Sequence, residues 1–397
     1  MAALPDFRSK AFLLDHMQEI LDFYHPICLN HEDGGYYNFY RDDGTITDRK
    51  TQHIVSTTRF IFNFATAADL FGNEAYREAA AHGVRYLDAV HRDPEFGGYF
   101  WEMKGREPSD PTKMAYGHAF VLLAYASAAK AGIAGTAEKI GETFDLLEAR
   151  FWSPEHLLYV DEISRDWRAA SSYRGQNANM HMTEAMLTAY EATGETRYLD
   201  RAETIARRIC VELAAGAGGV VWEHYGPDWS IDWDYNRDDP KHLFKPYGHL
   251  PGHMTEWTKL LLILERHRSA DWMLPTAVLQ YETALARSAD LEFGGMHYSY
   301  GPDGRLYDLD KYHWVHCETI AAAASLAART GHERYWQDYD RLWAYSWRNF
   351  VDHEYGCWFR ILDPDGRKQS DMKSTPGKTD YHPFGACFEI LRVLGEA

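Results

Sequence analysis

One tetrapeptide, present twice, carries the first chemical signal in this chain. His-Met-Thr-Glu occurs at 181–184 within "ANMHMTEAMLTAYEATG" and at 253–256 within "LPGHMTEWTKLLLILERH", each time at the head of an apolar run. Histidine is the side chain whose ordinary pKa lies nearest neutrality, so it gives and takes protons at working pH. Glu184 and Glu256 stand one helical turn beyond their histidines, where a carboxylate fixes an imidazole's tautomer or binds a hydroxyl-rich ligand. A glutamate at that place also complements a helix dipole, and a lone histidine there is commonly a hydrogen-bonded core residue. The rest of the chain bears on that choice. The starts of successive apolar segments carry Arg59, His118, His181, His253, His316 and His382, at intervals of 59 to 72 residues. Equivalent positions filled five times by histidine predict that the six side chains converge on one pocket.

The elements that must position them recur as well. A Gly-containing hairpin signal with alternating aromatic residues appears at 31–44, 93–103, 216–228, 290–304 and 352–366, and "SPEHLLYVDEI" at 153–163 fills the gap with Leu in place of Gly. Gly72, Gly194 and Gly331 stand where helices should stop, since glycine tolerates the left-handed backbone that ends them. Between these markers lie about twelve helix-length segments of two alternating kinds. Some, such as "RFIFNFATAADLF" and "ETIAAAASLAARTG", are apolar nearly all round; others, such as "RYLDRAETIARRICVEL", are amphipathic. Helices of the first kind must be buried, and those of the second cover a core. The alternation predicts an all-α fold, an (α/α)6 barrel of six inner and six outer helices with short β-hairpins at one end. A single catalytic domain spans 1–397, with segment 8–24 closing the ring against 382–395. Parallel inner helices bring their starts to one end of the barrel.

Composition narrows the function. With 45% hydrophobic residues the chain fills a large core, and its net charge of −18 repels phosphate backbones, so nucleic acid is not an expected partner. No 18-residue uncharged apolar run indicates a membrane span, and the N-terminus lacks a secretory pattern. The five scattered cysteines fit reduced thiols in the cytoplasm. There is no phosphate loop, nucleophile elbow or His-Glu-x-x-His zinc helix. A metal would have to be assembled across several helices, so neither metal nor cofactor is expected. What remains is histidine proton transfer in a closed polar cavity. Trp257, Trp314, Tyr116 and Tyr381 offer flat faces with donors that suit sugar rings. Asn177, one turn before His181, is placed to read a hydroxyl, and Arg59 to steady developing negative charge on oxygen. Glu318 follows His316 closely. The expected ligand is a small sugar, and the chain acts as a monomer or homodimer.

At these residues the sequence resembles the N-acylglucosamine 2-epimerase superfamily and, within it, the mannose isomerase and sulfoquinovose isomerase branch. The resemblance covers nearly the whole chain, through "STTRFIFNFA", "NANMHMTEA", "PYGHLPGHMTEWTKLLL", "HWVHCETIAA" and "STPGKTDYHPFGAC". It implies an (α/α)6 barrel without a required metal. It further implies that His253 and His382 are the acid/base pair, and that Arg59, Tyr116 and His181 bind the sugar. Asn177, Trp314 and Glu318 join that substrate set. Leu250-Pro251-Gly252 departs from the Asn-Pro-Gly of acylglucosamine epimerases, and "HWVHCE" from the double Trp and Pro-Gln of cellobiose 2-epimerases. No extra cation is assigned to a sulfonate. The resemblance therefore favours interconversion of D-mannose and D-fructose through a cis-enediol, with His382 moving the proton between C2 and C1, His253 opening the ring and Glu256 orienting His253. A 2-epimerase of a related sugar and a sulfoquinovose isomerase are the alternatives. Glycoside hydrolysis, which needs paired carboxylates, and non-catalytic sugar binding stand further off.

Overall fold

The computed structural model describes residues 4–395. Among them are twelve α-helices: α1 (Lys10–Tyr24), α2 (Ile54–Phe71), α3 (Glu74–Tyr86), α4 (Ala115–Lys130), α5 (Ala137–Arg150), α6 (Gln176–Thr193), α7 (Thr196–Arg207), α8 (Pro251–His267), α9 (Met273–Ser288), α10 (His313–Thr330), α11 (Glu333–Asn349) and α12 (Tyr381–Val393). The even-numbered helices form the inner ring: each packs on the next, and α12 returns to α2. Each odd-numbered helix covers an inner one, α3 on α2, α5 on α4, α7 on α6, α9 on α8, α11 on α10, and α1 on α12. This is the (α/α)6 barrel that the alternating pattern predicts, with the N-terminal helix closing the ring.

Burial follows the pattern closely. In α10 every residue from Val315 to Ala327 is buried, whereas α7 buries only the stripe Tyr198, Leu199, Ala202, Ile205 and Ala206. An apolar surface on all sides is stable only inside a ring of other helices. Gly72, Gly194 and Gly331 end α2, α6 and α10 at φ of 61°, 73° and 71°, so the three sequence stops hold. No described helix is long and apolar enough to cross a membrane.

Short β-pairings follow the outer helices and gather on the side of the barrel where the inner helices begin. Most of the hairpin signals close as antiparallel clasps, for example Leu29 with Tyr36, Arg92 with Tyr99, Ala289 with Met296 and Val351 with Trp358. The signal at 216–228 does not. There the chain runs on from α7 through a π turn at Arg208–Leu213 into a 3-10 turn at Ala214–Ala217, Gly218 stops it in the left-handed region, and His224–Tyr225 pairs instead with Arg174–Gly175. Alanine at three of the four turn positions favours helical continuation over a hairpin.

Candidate active site

The barrel's geometry selects which residues of each inner helix face its axis. The second and sixth residues lie about 40° apart around a helix, and the fourth lies about 200° from the second. Val55 and Arg59 of α2, Asn177 and His181 of α6, Trp314 and Glu318 of α10, and His382 of α12 are second or sixth residues. Tyr116 and Phe120 take those places on α4, and Glu256 the sixth place on α8. Arg59, Tyr116, Asn177, His181, His253, Glu256, Trp314 and His382 share one cleft, with about 850 Å³ of empty space counted out to its open mouth. Glu318 lies directly beneath it.

His118 and His316 are the exceptions to the predicted convergence. Each is the fourth residue of its helix, so it points away from the axis and behind the ring. His118 Nε2 accepts the Tyr99 backbone N–H at 3.0 Å, and His316 Nε2 accepts that of Met296 at 3.0 Å. Their Nδ1 atoms meet the carbonyls of Met114 and Tyr312 at 2.7 and 2.9 Å. A Cβ on Gly98 or Gly295 would lie 2.9 or 2.8 Å from those Nε2 atoms, so the second glycine of each clasp is required for the imidazole to approach. These histidines fasten hairpins to the barrel.

His382 is held from below. Its Nδ1 lies 2.7 Å from Glu318 Oε1, which places the proton on Nδ1 and turns the Nε2 lone pair to the cleft. Burial, reinforced by Arg59, His181 and Lys259, holds this imidazole well below its ordinary pKa, so near neutrality it carries no positive charge and keeps a free lone pair. The backbone just before it is strained: Thr379 and Asp380 take φ of 43° and 45°. Asp380 fixes that geometry by accepting Trp358 N–H at 3.1 Å, Tyr24 O–H at 2.7 Å and the Lys378 ammonium at 2.5 Å.

His253 is held by a different carboxylate from the one expected. Its Nδ1 lies 2.9 Å from Glu223 Oε2, which also accepts Gln176 Nε2–H at 2.8 Å, while Trp257 Nε1 donates to Gln176 Oε1 at 2.7 Å. Glu256, expected to orient His253, sits deeper and points across the axis, 3.9 Å from His181 Nδ1 and 4.0 Å from Lys259 Nζ. His253 is the third residue of α8 and Glu256 the sixth, so the histidine leans to the rim while the glutamate reaches the floor. Trp314 stands between the two histidines, its ring 5.0 Å from that of His253 and 5.7 Å from that of His382.

The floor is a set of buried charges. Glu184 Oε2 takes His181 Nδ1–H at 2.9 Å, and Glu184 Oε1 takes Tyr381 O–H at 2.6 Å. His181 is pushed down to about 4, by burial first and against the pull of Glu184, and is neutral at working pH. Neither oxygen of Glu256 has a hydrogen-bond partner among the described residues. Burial, with the charges of Glu318 and Glu184, raises this carboxyl well above the carboxylate range despite Lys259 and Arg59. It is a neutral acid facing the cleft. Arg59 lies between the rings of Phe120 and Tyr381, 4.5 and 4.6 Å from their centroids, and donates to Tyr116 Oη at 3.2 Å and to the Gly377 carbonyl. Asn177 Oδ1 is buried without a hydrogen-bond partner among the described residues, an acceptor that a ligand donor could meet. Two triads, His181–Glu184–Glu256 and Glu256–Glu318–His382, are close enough to grip a metal ion. The Lys259 ammonium, 2.5 Å from Glu318 and 4.0 Å from Glu256, already supplies positive charge there.

A model of the N-acylglucosamine 2-epimerase (GlcNAc 2-epimerase) family matches residues 34–386. The chain belongs to that family. It is 48% identical over 391 residues to a D-mannose isomerase of Marinomonas mediterranea, covering 98% of this chain and 99% of that one. It is 35% identical over 367 residues to a D-mannose isomerase of Thermobifida fusca, covering 89% and 87% of the two chains. A crystal structure of a D-mannose isomerase, 47% identical, superposes with a TM-score of 0.96 over 98% of this chain and 100% of that one. For this member of the N-acylglucosamine 2-epimerase family, inspection of helix starts alone misses part of the cleft. Glu223, which backs His253, precedes a two-residue strand, and the cleft-lining Arg360, Thr375 and Gly377 lie in loops, none of them with a helical period to mark it. Gln176 and Lys259 were visible, as the residue before Asn177 and the one a turn after Glu256.

Proposed function

We propose that this protein is an aldose–ketose isomerase that interconverts D-mannose and D-fructose, with the whole chain acting as one catalytic domain. One observation carries the reading: two buried imidazoles, each with Nδ1 on its own carboxylate, flank Trp314 in one cleft. His253 assists ring opening by moving the proton between the ring and anomeric oxygens. His382 Nε2 then takes the C2 proton, and the C–H electron pair becomes the C1–C2 double bond of a cis-enediol while Glu256 gives its proton to the aldehyde oxygen. The 2-hydroxyl gives its proton back to the Glu256 carboxylate as C2=O forms, and the C1–C2 double-bond pair takes from His382 the proton that becomes the new C1–H. The neutral acid Glu256 and the cation Arg59 face the oxygens on which negative charge develops. Tyr116, Asn177 and His181 hold sugar hydroxyls. Similarity to D-mannose isomerases supports mannose over the larger or acylated sugars of 2-epimerases.

The same reading has the reaction run without a metal, because Lys259 and Arg59 supply the positive charge at the floor. Five buried, unpaired cysteines support a cytoplasmic setting. An NMR time course with D-mannose, run with and without EDTA, tests both points. Fructose is expected at the same rate in each. Glucose as the sole product would indicate a 2-epimerase, and turnover lost in EDTA and restored by Mn²⁺ would indicate metal-assisted chemistry.

A further inference from the structure

Three carboxyl groups share the floor of the cleft, and they do not play the same part. Glu184 is satisfied by His181 and Tyr381, Glu256 has no hydrogen-bond partner among the described residues, and Glu318 accepts both His382 Nδ1–H at 2.7 Å and Lys259 Nζ–H at 2.5 Å. Buried carboxyls this close cannot all ionise, and a cation decides which of them does. Lys259 stands 2.5 Å from Glu318 but 4.0 Å from Glu256. Arg59 does not compete for the place, because it is clamped between Phe120 and Tyr381 and donates to Tyr116 and Gly377. The groups that face the Lys259–Glu318 pair are Glu256 on α8, Glu184 and His181 on α6, His382 and Tyr381 on α12, Cys317 on α10 and Arg59 on α2, with Tyr116 of α4 behind.

We propose that Lys259 is a positioning residue: it keeps Glu318, rather than Glu256, ionised, and so holds His382 in the tautomer whose Nε2 lone pair faces the sugar. Burial raises the Glu318 carboxyl, and Lys259 is the foremost group opposing that rise. Without the ammonium Glu318 takes a proton. Its O–H then donates to His382 Nδ1, the imidazole proton moves to Nε2, and the base at the cleft is lost. Raising the pH ionises Glu318 again and restores it. The assignment rests on the isomerase reading for its kinetic consequence but not for the tautomer.

The test joins the pH profile of kcat on mannose to ¹⁵N-histidine NMR of the full chain. In the wild type near neutrality His382 is expected as the Nδ1–H tautomer. In Lys259→Met, and in Lys259→Gln should Met not fold, the acid limb of kcat is expected to move up by about one to three pH units, the range for an opposite charge at this distance. His382 is expected to carry its proton on Nε2 near neutrality. Lys259→Arg keeps the charge and should leave the limb in place even where kcat falls. An Nε2–H tautomer in the wild type overturns the proposal. So does an unmoved limb and tautomer in Lys259→Met or Lys259→Gln, whatever happens to kcat or Tm, because a purely structural lysine lowers those without moving either readout. The tautomer is read without turnover, so a wild type that leaves mannose unchanged refutes the isomerase reading and leaves the lysine assignment separately decided.

Discussion

His382 and His316 are both buried imidazoles in the first turn of an inner helix, on neighbouring helices of the ring in one repeating architecture. Burial pushes both down, His316 to about 4 and His382 well below its ordinary value, and it lowers His118 to about 3 as well. A depressed pKa therefore does not tell the site from the scaffold. The partner of Nε2 does. In His118 and His316 it is a backbone N–H of the adjacent hairpin; in His382 it is the open cleft, with a carboxylate on the other nitrogen. Residue type and burial are the same, and two residues of helical phase separate a cleft-facing imidazole from a clasp.

Exchanging the two kinds of histidine for neutral residues should therefore break the molecule in opposite ways. The larger effect is expected at the cleft: His382→Asn keeps a hydrogen-bonding group of smaller volume, and kcat should fall by about 10²–10⁴-fold, the usual loss of a general acid or base, with Tm little changed. A cooperative drop in Tm with activity per folded molecule intact would make His382 a scaffold residue instead. The smaller effect is expected behind the ring. His118→Leu leaves the buried Tyr99 N–H without its acceptor, a loss of about 1–3 kcal/mol of stability, while kcat of the folded enzyme is retained. Thermal melts paired with kcat separate these outcomes, and a His118→Leu enzyme of normal Tm and lost activity would erase the distinction.

Much of the frame was legible in the chain. Alternating all-apolar and amphipathic segments, with Gly72, Gly194 and Gly331 as stops, give the ring and its closure by α1, since burial of a whole helix surface has few architectural solutions. The gathering of Arg59, His181, His253 and His382 was legible because parallel helices carry equivalent positions to one end. Phase within the first turn is what removes His118 and His316; it is counted from the helix starts, which sequence alone fixes only to a residue or two. Loops hid the rest. Glu223 reaches His253 from beside a short strand, so adjacency along a helix favoured Glu256 as the orienting carboxylate where the fold supplies another. Hairpin folding at 216–228 failed for a local reason, the alanines that extend α7.

The central claim is that His382, and not its neighbours, carries the proton between C2 and C1. Mannose incubated in deuterated buffer and followed by NMR at C2 tests it most directly, in wild type, His382→Asn and His253→Asn. Deuterium exchange at C2 is expected to vanish in His382→Asn and to persist in part in His253→Asn, which still meets ring-opened sugar. Undiminished exchange in His382→Asn would contradict it and move the C2 base to His253 or His181.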